Sequence, residues 1–127
     1  MRNTSIAAPL VLSIFFSMVL LLTDAELWTV APSHAYALAG FMAADVAVIV
    51  LAMVGFPPIP AIGTVYGVGK FVVFLGDILT APEFGLTYAE FAAYLFSLWG
   101  YNGLLASQLL VAAGSYLAWR RQATTRS

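Results

Sequence analysis

The chain has 127 residues, of which 62% are hydrophobic and only 9% are charged, and its formal net charge is −1. This composition, with a mean hydropathy of +0.95, excludes an ordinary soluble domain and predicts an all-α integral membrane protein. The absence of cysteine excludes disulfides, thiolate metal sites and CxxC redox chemistry. Four spans of about 20 residues fit this length, so we expect one transmembrane domain over residues 1–127, built as an antiparallel four-helix bundle.

The first predicted span covers about residues 6–22, between Arg2 and the acidic residue Asp24. Pro9 is compatible with this helix because the amides of its first turns lack intrahelical partners. A basic residue before an apolar run is also typical of a cleaved signal peptide, for which Ala25 would precede the cleavage site. The run is longer than a usual signal core of about 7 to 15 residues, which favours an uncleaved helix.

The second and third spans are predicted at about residues 33–55 and 59–80. Ser33 has a side chain suited to capping the start of the second span. Pro57 and Pro58 end that span because proline cannot continue a helix. The connection is so short that the two spans are expected to form an antiparallel hairpin.

A longer helical region begins at Thr87, which has the T-x-x-E spacing of a capping box with Glu90. Continued as one straight helix to the end of the last apolar stretch, it would measure about 48 Å, more than a hydrocarbon core of about 30 Å. We therefore expect an outer helical segment at about 87–98 and a fourth span at about 99–119. The break between them is expected at two closely spaced glycines, Gly100 and Gly103.

Charged residues are unevenly distributed along the sequence. The basic residues outside the predicted spans flank the two chain ends: Arg2, Arg120, Arg121 and Arg126. Most acidic residues fall at or beyond the outer ends of the predicted spans: Asp24, Glu26, Asp77, Glu83 and Glu90. By the positive-inside rule, this pattern predicts a multi-pass protein of the cell membrane with both termini in the cytoplasm and an acidic outer surface.

Asp45 and Lys70 are the two charges left within the hydrocarbon region of the predicted spans. Counted from the turn between spans two and three, each lies about 16 Å deep at 1.5 Å per residue, near the middle of a bilayer. Because an unpaired charge at that depth is costly, the two are expected to face the bundle interior and to pair. Three roles stay open: a structural ion pair, a proton relay or ion site, and a lysine that binds a ligand or another subunit.

Other residues are assigned by depth and by helical face. A supporting polar layer is expected at the level of the pair from Ser13, Ser17 and Gln108. Glycines that permit close helix packing share the Lys70 face of span three or one face of span four: Gly63, Gly67, Gly100 and Gly103. A similar stripe of small residues on span two consists of Ala39, Ala43 and Ala47.

No residue pattern points to a cofactor or to catalysis. His34 is the only histidine and is predicted to lie near Asp24 and Glu26, as a weak candidate for a cation site. A solvated or capping histidine explains it more simply. Haem ligation by two histidines is not available within one copy, and no nucleophile and base have usable spacing. We expect no enzyme activity, no bound cofactor and no metal.

The outer segment bears on function because residues 84–98 are apolar on most sides yet are expected to project beyond the membrane core. Such a surface requires cover by lipid or protein, and protein cover favours an accessory or structural subunit of a larger integral-membrane complex. A respiratory oxidase or a membrane oxygenase is a fitting host class. The alternative is an oligomeric proton-coupled carrier or small channel that uses Asp45 and Lys70. The expected partners are the lipid bilayer and other membrane subunits or further copies of the chain, not nucleic acid.

Overall fold

The fold consists of helices joined by short connections. The computed structural model describes the backbone of residues 3–126 and the side chains of residues 3–125. In that part of the chain no strand occurs, and the helices in order are α1 (Thr4–Thr23), α2 (Ala25–Thr29), α3 (Pro32–Met53), α4 (Ile59–Leu75), a 3-10 helix (Gly76–Phe84), α5 (Tyr88–Ser97) and α6 (Trp99–Arg126). The prediction of an all-α protein is confirmed.

Three stretches are long and apolar enough to cross a membrane: α1, α3, and α4 together with the 3-10 helix. A fourth results if α5 and α6 are taken as one span that is bent by 87°. A helix rises 1.5 Å per residue, so about 20 residues match the hydrocarbon thickness of about 30 Å. The helices are compatible with a multi-pass membrane protein.

The turn between α3 and α4 is fixed by a glycine and two prolines. Gly55 has a φ of +74°, a left-handed conformation that glycine adopts without steric cost. Pro57 and Pro58 follow, and α4 begins directly after them with Pro60 in its first turn, where the missing amide hydrogen costs nothing. The chain therefore reverses direction over a few residues.

The bend between α5 and α6 lies at Leu98, whose extended backbone (φ −88°, ψ 113°) ends α5. The expectation of a break at Gly100 and Gly103 is wrong, because both glycines lie within α6. They serve helix packing instead. A Cβ on Gly100 would lie 3.1 Å from Val19 of α1, and one on Gly103 would collide with the ring of Phe16.

The start of α5 confirms the predicted capping box. The Glu90 amide donates to Thr87 Oγ1 at 3.1 Å, and the Thr87 amide donates to Glu90 Oε1 at 3.0 Å. The hydrogen bond from the Thr87 amide holds the pKa of the Glu90 carboxyl below its usual value, because it favours the ionised form. The cap therefore fixes both the start of α5 and a negative charge beside it.

The central helix of the bundle is α6. It packs along α1 on one side and along α4 on the other, and α3 packs mainly against α1. The glycine face of α4 meets α6: a Cβ on Gly67 would lie 2.7 Å from the Ala112 amide nitrogen, and one on Gly63 would collide with the Ser115 side chain. Direct contacts between α3 and α4 are few, although a short turn joins them. The two helices of the expected hairpin are therefore consecutive in the chain but contact each other at few positions.

The two ends of the bundle differ in charge. At one end the Asn3 amide donates to the Ala52 carbonyl oxygen (3.2 Å) and Gln122 Nε2 donates to the Pro57 carbonyl oxygen (2.7 Å). We call this the basic end, since the described arginines there are Arg120 and Arg121; Arg2 and the side chain of Arg126 lie outside the described residues. At the opposite, acidic end, the Tyr94 hydroxyl donates to Asp24 Oδ1 at 2.8 Å.

Helix α5 folds back over the acidic end and does not project away from the bundle. Phe91 and Leu95 are buried and belong to one apolar cluster with Leu38 and Phe74. The expectation that this segment needs cover from another protein is therefore wrong for its buried face, because the chain supplies the cover itself.

Two apolar clusters form the core, and polar residues lie between them in every long helix. The cluster at the acidic end includes Leu20, Leu38, Phe74 and Leu105. The cluster at the basic end includes Leu10, Val48, Ile59 and Val111. The buried polar residues that fall between these positions along the four helices are Ser13, Ser17, Asp45, Lys70, Ser107 and Gln108. A polar layer therefore divides the core.

Replacing Gly67 by alanine should destabilise the fold, whereas replacing Gly69 by alanine should not. A Cβ at position 67 would meet the backbones of Ala112 and Gln108 at 2.7 and 3.0 Å, while nothing lies within 4 Å at position 69. Backbone cannot yield as a flexible side chain can, so we expect Gly67→Ala to cost about 1 to 3 kcal/mol, as overpacking does. The thermal unfolding midpoint in mild detergent measures the difference. Equal midpoints for the two variants would contradict the close contact of α4 with α6.

Candidate functional site

The most unusual feature of the structure is a pair of charged side chains buried between the two apolar clusters. Asp45 of α3 is 0% exposed and Lys70 of α4 is 2% exposed, and Lys70 Nζ lies 2.6 Å from Asp45 Oδ1. Equal spacing from the turn places the two residues at the same level of their antiparallel helices. A lysine side chain is long enough to cover the remaining distance between helices that contact each other little.

The carboxylate of Asp45 receives three hydrogen bonds from three different side chains. Lys70 Nζ and the Tyr66 hydroxyl both donate to Oδ1 at 2.6 Å. The Ser13 hydroxyl of α1 donates to Oδ2 at 2.9 Å. Charge-assisted hydrogen bonds are about twice as strong as neutral ones, so the Asp45 side chain is held firmly in one position.

Ser13 links the pair to the central helix. Its hydroxyl group donates one hydrogen bond to Asp45, and its oxygen accepts two others, from Lys70 Nζ at 3.1 Å and from Gln108 Nε2 at 2.9 Å. This uses the whole capacity of a hydroxyl group. Side chains from α1, α3, α4 and α6 therefore meet in one network, which we call the buried centre: Ser13, Asp45, Tyr66, Lys70 and Gln108.

Three aromatic rings lie around the side of the Lys70 ammonium that faces away from the Asp45 carboxylate and the Ser13 hydroxyl. Its nitrogen lies 5.0 Å from the ring centre of Tyr66, 5.6 Å from that of Phe74 and 5.8 Å from that of Phe41. These distances permit cation–π attraction, which is stronger where water is excluded. The ammonium thus has a polar side and an aromatic side, and neither gives it access to solvent.

The predicted polar layer is present only in part. Ser13 and Gln108 join the network, but the Ser17 hydroxyl, although buried, makes no hydrogen bond to it among the described residues. Gln108 Nε2 also reaches the Leu104 carbonyl oxygen at 3.0 Å, whereas its Oε1 has no partner in the described part of the chain.

Tyr66 was missed by the sequence analysis although it bonds directly to Asp45. It precedes Lys70 by four residues and so shares its helical face. The sequence contained a usable indication, because Tyr66 lies well inside the third predicted span and not near an interface, where membrane tyrosines usually lie. A tyrosine at that depth needs a hydrogen-bond partner, and Asp45 is an acceptor about one helical turn deeper on the neighbouring helix.

The predicted acidic outer residues lie together at the acidic end without forming a metal site. In the described residues, no group of three or more His, Asp or Glu side chains lies close enough to hold a metal ion. His34 faces Asp77, with Nδ1 3.9 Å from Oδ1, and not the expected Asp24 and Glu26. Its ring also meets that of Phe84 edge-to-face, with centroids 5.8 Å apart.

A cavity of about 430 Å³ lies at the acidic end, and we call it the acidic-end cavity. Its lining comes from all the long helices together with α2, α5 and the 3-10 helix, and it is mostly apolar. Phe41 and Phe74 line it and are also the two phenylalanines that contact Lys70. Lys70 itself does not line the cavity, so the two rings separate it from this space.

Comparison with known proteins gives no family for this chain: no protein-family model matches it, and no curated protein or solved structure does so either.

Breaking the buried pair from one side should destabilise the protein more than removing both charges. Asp45→Asn and Lys70→Met each leave one uncompensated buried charge, which in other proteins costs about 3 to 5 kcal/mol. The double variant leaves no buried charge and should be more stable than either single variant. Unfolding midpoints of the four proteins form a double-mutant cycle. Ser17→Ala, buried but outside the network, is the control, and strictly additive losses would argue against direct coupling.

Proposed function

We propose that this protein is a four-span membrane protein that serves as a non-catalytic accessory or structural subunit of a larger integral-membrane complex. In this proposal the helices form an antiparallel bundle across the cell membrane, with the basic end in the cytoplasm. The proposal assigns the spans to α1, to α3, to α4 with the 3-10 helix, and to α6, with α5 as the outer segment at the acidic end. Both termini then lie on the cytoplasmic side.

The single observation that favours a partner is the outward face of α3. The small residues Ala39, Ala43 and Ala47 are exposed, and a Cβ on Gly40 would meet nothing within 4 Å. In membranes, small residues are enriched where helix backbones approach closely. Since the described residues leave this stripe exposed, we assign it to a helix of another subunit.

The buried centre supports a structural role. An enzyme or a proton pathway needs its reactive groups to reach substrate or water, whereas Asp45 and Lys70 are closed off by their own partners. Each of the four long helices contributes at least one side chain to the network. Such a network fixes the register of the helices relative to one another, which is the best-attested use of buried polar groups.

The partner proposal predicts that the protein, purified from its native membrane in mild detergent, retains a different membrane protein in fixed stoichiometry. Ala43→Phe should remove that partner, because a bulky ring prevents close helix approach. Val65→Phe is the matched control, since Val65 is 71% exposed on α4, away from the small-residue stripe. Native mass spectrometry reports the bound mass for each variant. A wild-type chain that migrates alone, or only with copies of itself, contradicts the proposal.

A second candidate function, an oligomeric proton-coupled carrier or small channel, is favoured by one observation. The acidic-end cavity reaches the two rings that cover Lys70, so a rotation of Phe41 or Phe74 would expose the ammonium to that space. In this alternative Asp45 and Lys70 exchange protons with the cavity.

The carrier alternative predicts proton flux into liposomes that contain the purified protein. Asp45→Asn and Lys70→Met should each abolish this flux, while Ser17→Ala should leave it unchanged. The measurement is the quenching of a pH-sensitive dye inside the liposomes after a membrane potential is imposed. Undiminished flux in both folded charge variants excludes the buried pair from any transport role.

A further inference from the structure

The acidic-end cavity has the size and lining of a small-molecule site. Its volume of about 430 Å³ falls within the range of about 300 to 1,000 Å³ that is typical of ligand pockets. It lies at the acidic end, where α5 folds over the end of the long helices. Most of the lining is leucine and aromatic side chain, which suits an apolar molecule.

Acidic side chains give the cavity a strongly one-sided charge. Four carboxylates line it: Asp24, Glu26, Asp77 and Glu90. The one basic side chain among the lining residues is His34, which lies beside Asp77. The chain has a single lysine, which is buried behind Phe41 and Phe74, and its arginines stand near the chain ends in the sequence. Apart from His34 beside Asp77, the carboxylates have no basic side chain as a partner among the described lining residues, and the cavity attracts cations and repels anions.

The aromatic side chains of the cavity add a second, independent preference for cations. Phe84 and Phe91 lie with ring centres 5.5 Å apart, and Phe91 stacks on Tyr94 at 6.4 Å. Ring faces attract ammonium groups, most strongly where water is excluded, and aromatic cages are a common way to bind quaternary ammonium compounds. The same ring type already surrounds the Lys70 ammonium deeper in this protein.

We propose that the acidic-end cavity binds one small organic cation that has an ammonium group and an apolar body. The ammonium lies among Asp24, Glu26 and Asp77, and the body packs against Phe91 and Leu38 in the interior. This assignment does not depend on the partner proposed for α3, because it concerns a different face of the chain.

The test uses two probes of nearly equal shape and different charge. The first is phenylbutyl-trimethylammonium, and the second is its neutral analogue, in which a carbon replaces the nitrogen. Isothermal titration calorimetry of the full chain in mild non-ionic detergent, with detergent alone as the blank, should show saturable binding of one cation per chain. We expect the neutral analogue to bind at least about tenfold more weakly, because it gains nothing from the carboxylates.

Substitutions locate the binding in the cavity. Glu26→Gln, at an exposed position, combined with Asp77→Asn should weaken binding of the cation by about tenfold or more. Glu83→Gln is the matched control, since Glu83 belongs to the same end but does not line the cavity, and it should leave affinity unchanged. Ala37→Trp, which fills the cavity, should abolish binding, whereas Ala39→Trp on the outer face should not.

Three results would overturn the proposal. The first is equal affinity for the charged and neutral probes, which would make the cavity a purely apolar site. The second is unchanged affinity after Glu26→Gln alone, a variant expected to fold because its side chain is exposed, together with unchanged affinity in the double variant. The third is a phospholipid retained in the cavity by the wild-type protein and lost in Ala37→Trp.

Discussion

The rest of the structure depends on the burial of one ammonium group, that of Lys70. Removing such a charge from water costs several kcal/mol even after the surroundings relax, and attraction to an opposite charge offsets this only when the geometry is good. Asp45 supplies the charge, Ser13 supplies a further acceptor, and three rings occupy the remaining side. Because these groups come from different helices, the cost is offset only when α1, α3 and α4 stand in the correct register.

Helix α4 contacts its two neighbours in two different ways. Helices α4 and α6 approach closely because Gly63 and Gly67 leave room for the backbone of α6. Helices α3 and α4 are instead bridged by long side chains, through the Lys70–Asp45 and Tyr66–Asp45 bonds. A bridge of that kind holds two helices together at a greater distance than glycine contacts do. Residues of both helices also line the acidic-end cavity.

The sequence predicted the features that depend on position along one helix and failed on those that depend on which helices meet. Counting residues from the Gly55–Pro58 turn assigned Asp45 and Lys70 to one level, because the rise of a helix is fixed. Nothing in that count shows that the glycine face of α4 packs on α6 and not on α3. Ser17 shares its helical face with Ser13, yet only Ser13 is reached by the Lys70 ammonium. The direction of α5 relative to α6 depends on one extended residue, Leu98. Neither a glycine nor a proline at that position predicts the bend.

The buried centre and the cavity are joined by two side chains that belong to both. The rings of Phe41 and Phe74 meet edge-to-face with centroids 5.2 Å apart, and together they form both the aromatic side of the Lys70 site and part of the cavity lining. One side of these two rings contacts the Lys70 ammonium, and another side faces the acidic-end cavity. A structural ion pair and a proton carrier differ in one respect here, namely whether those rings stay in place. Of the two rings, Phe74 is the more closely held, because this residue is 5% exposed and its carbonyl oxygen accepts a hydrogen bond from the Tyr101 hydroxyl of α6. Anchoring of the Phe74 backbone to the central helix favours a centre that stays closed, and so favours the structural role over transport.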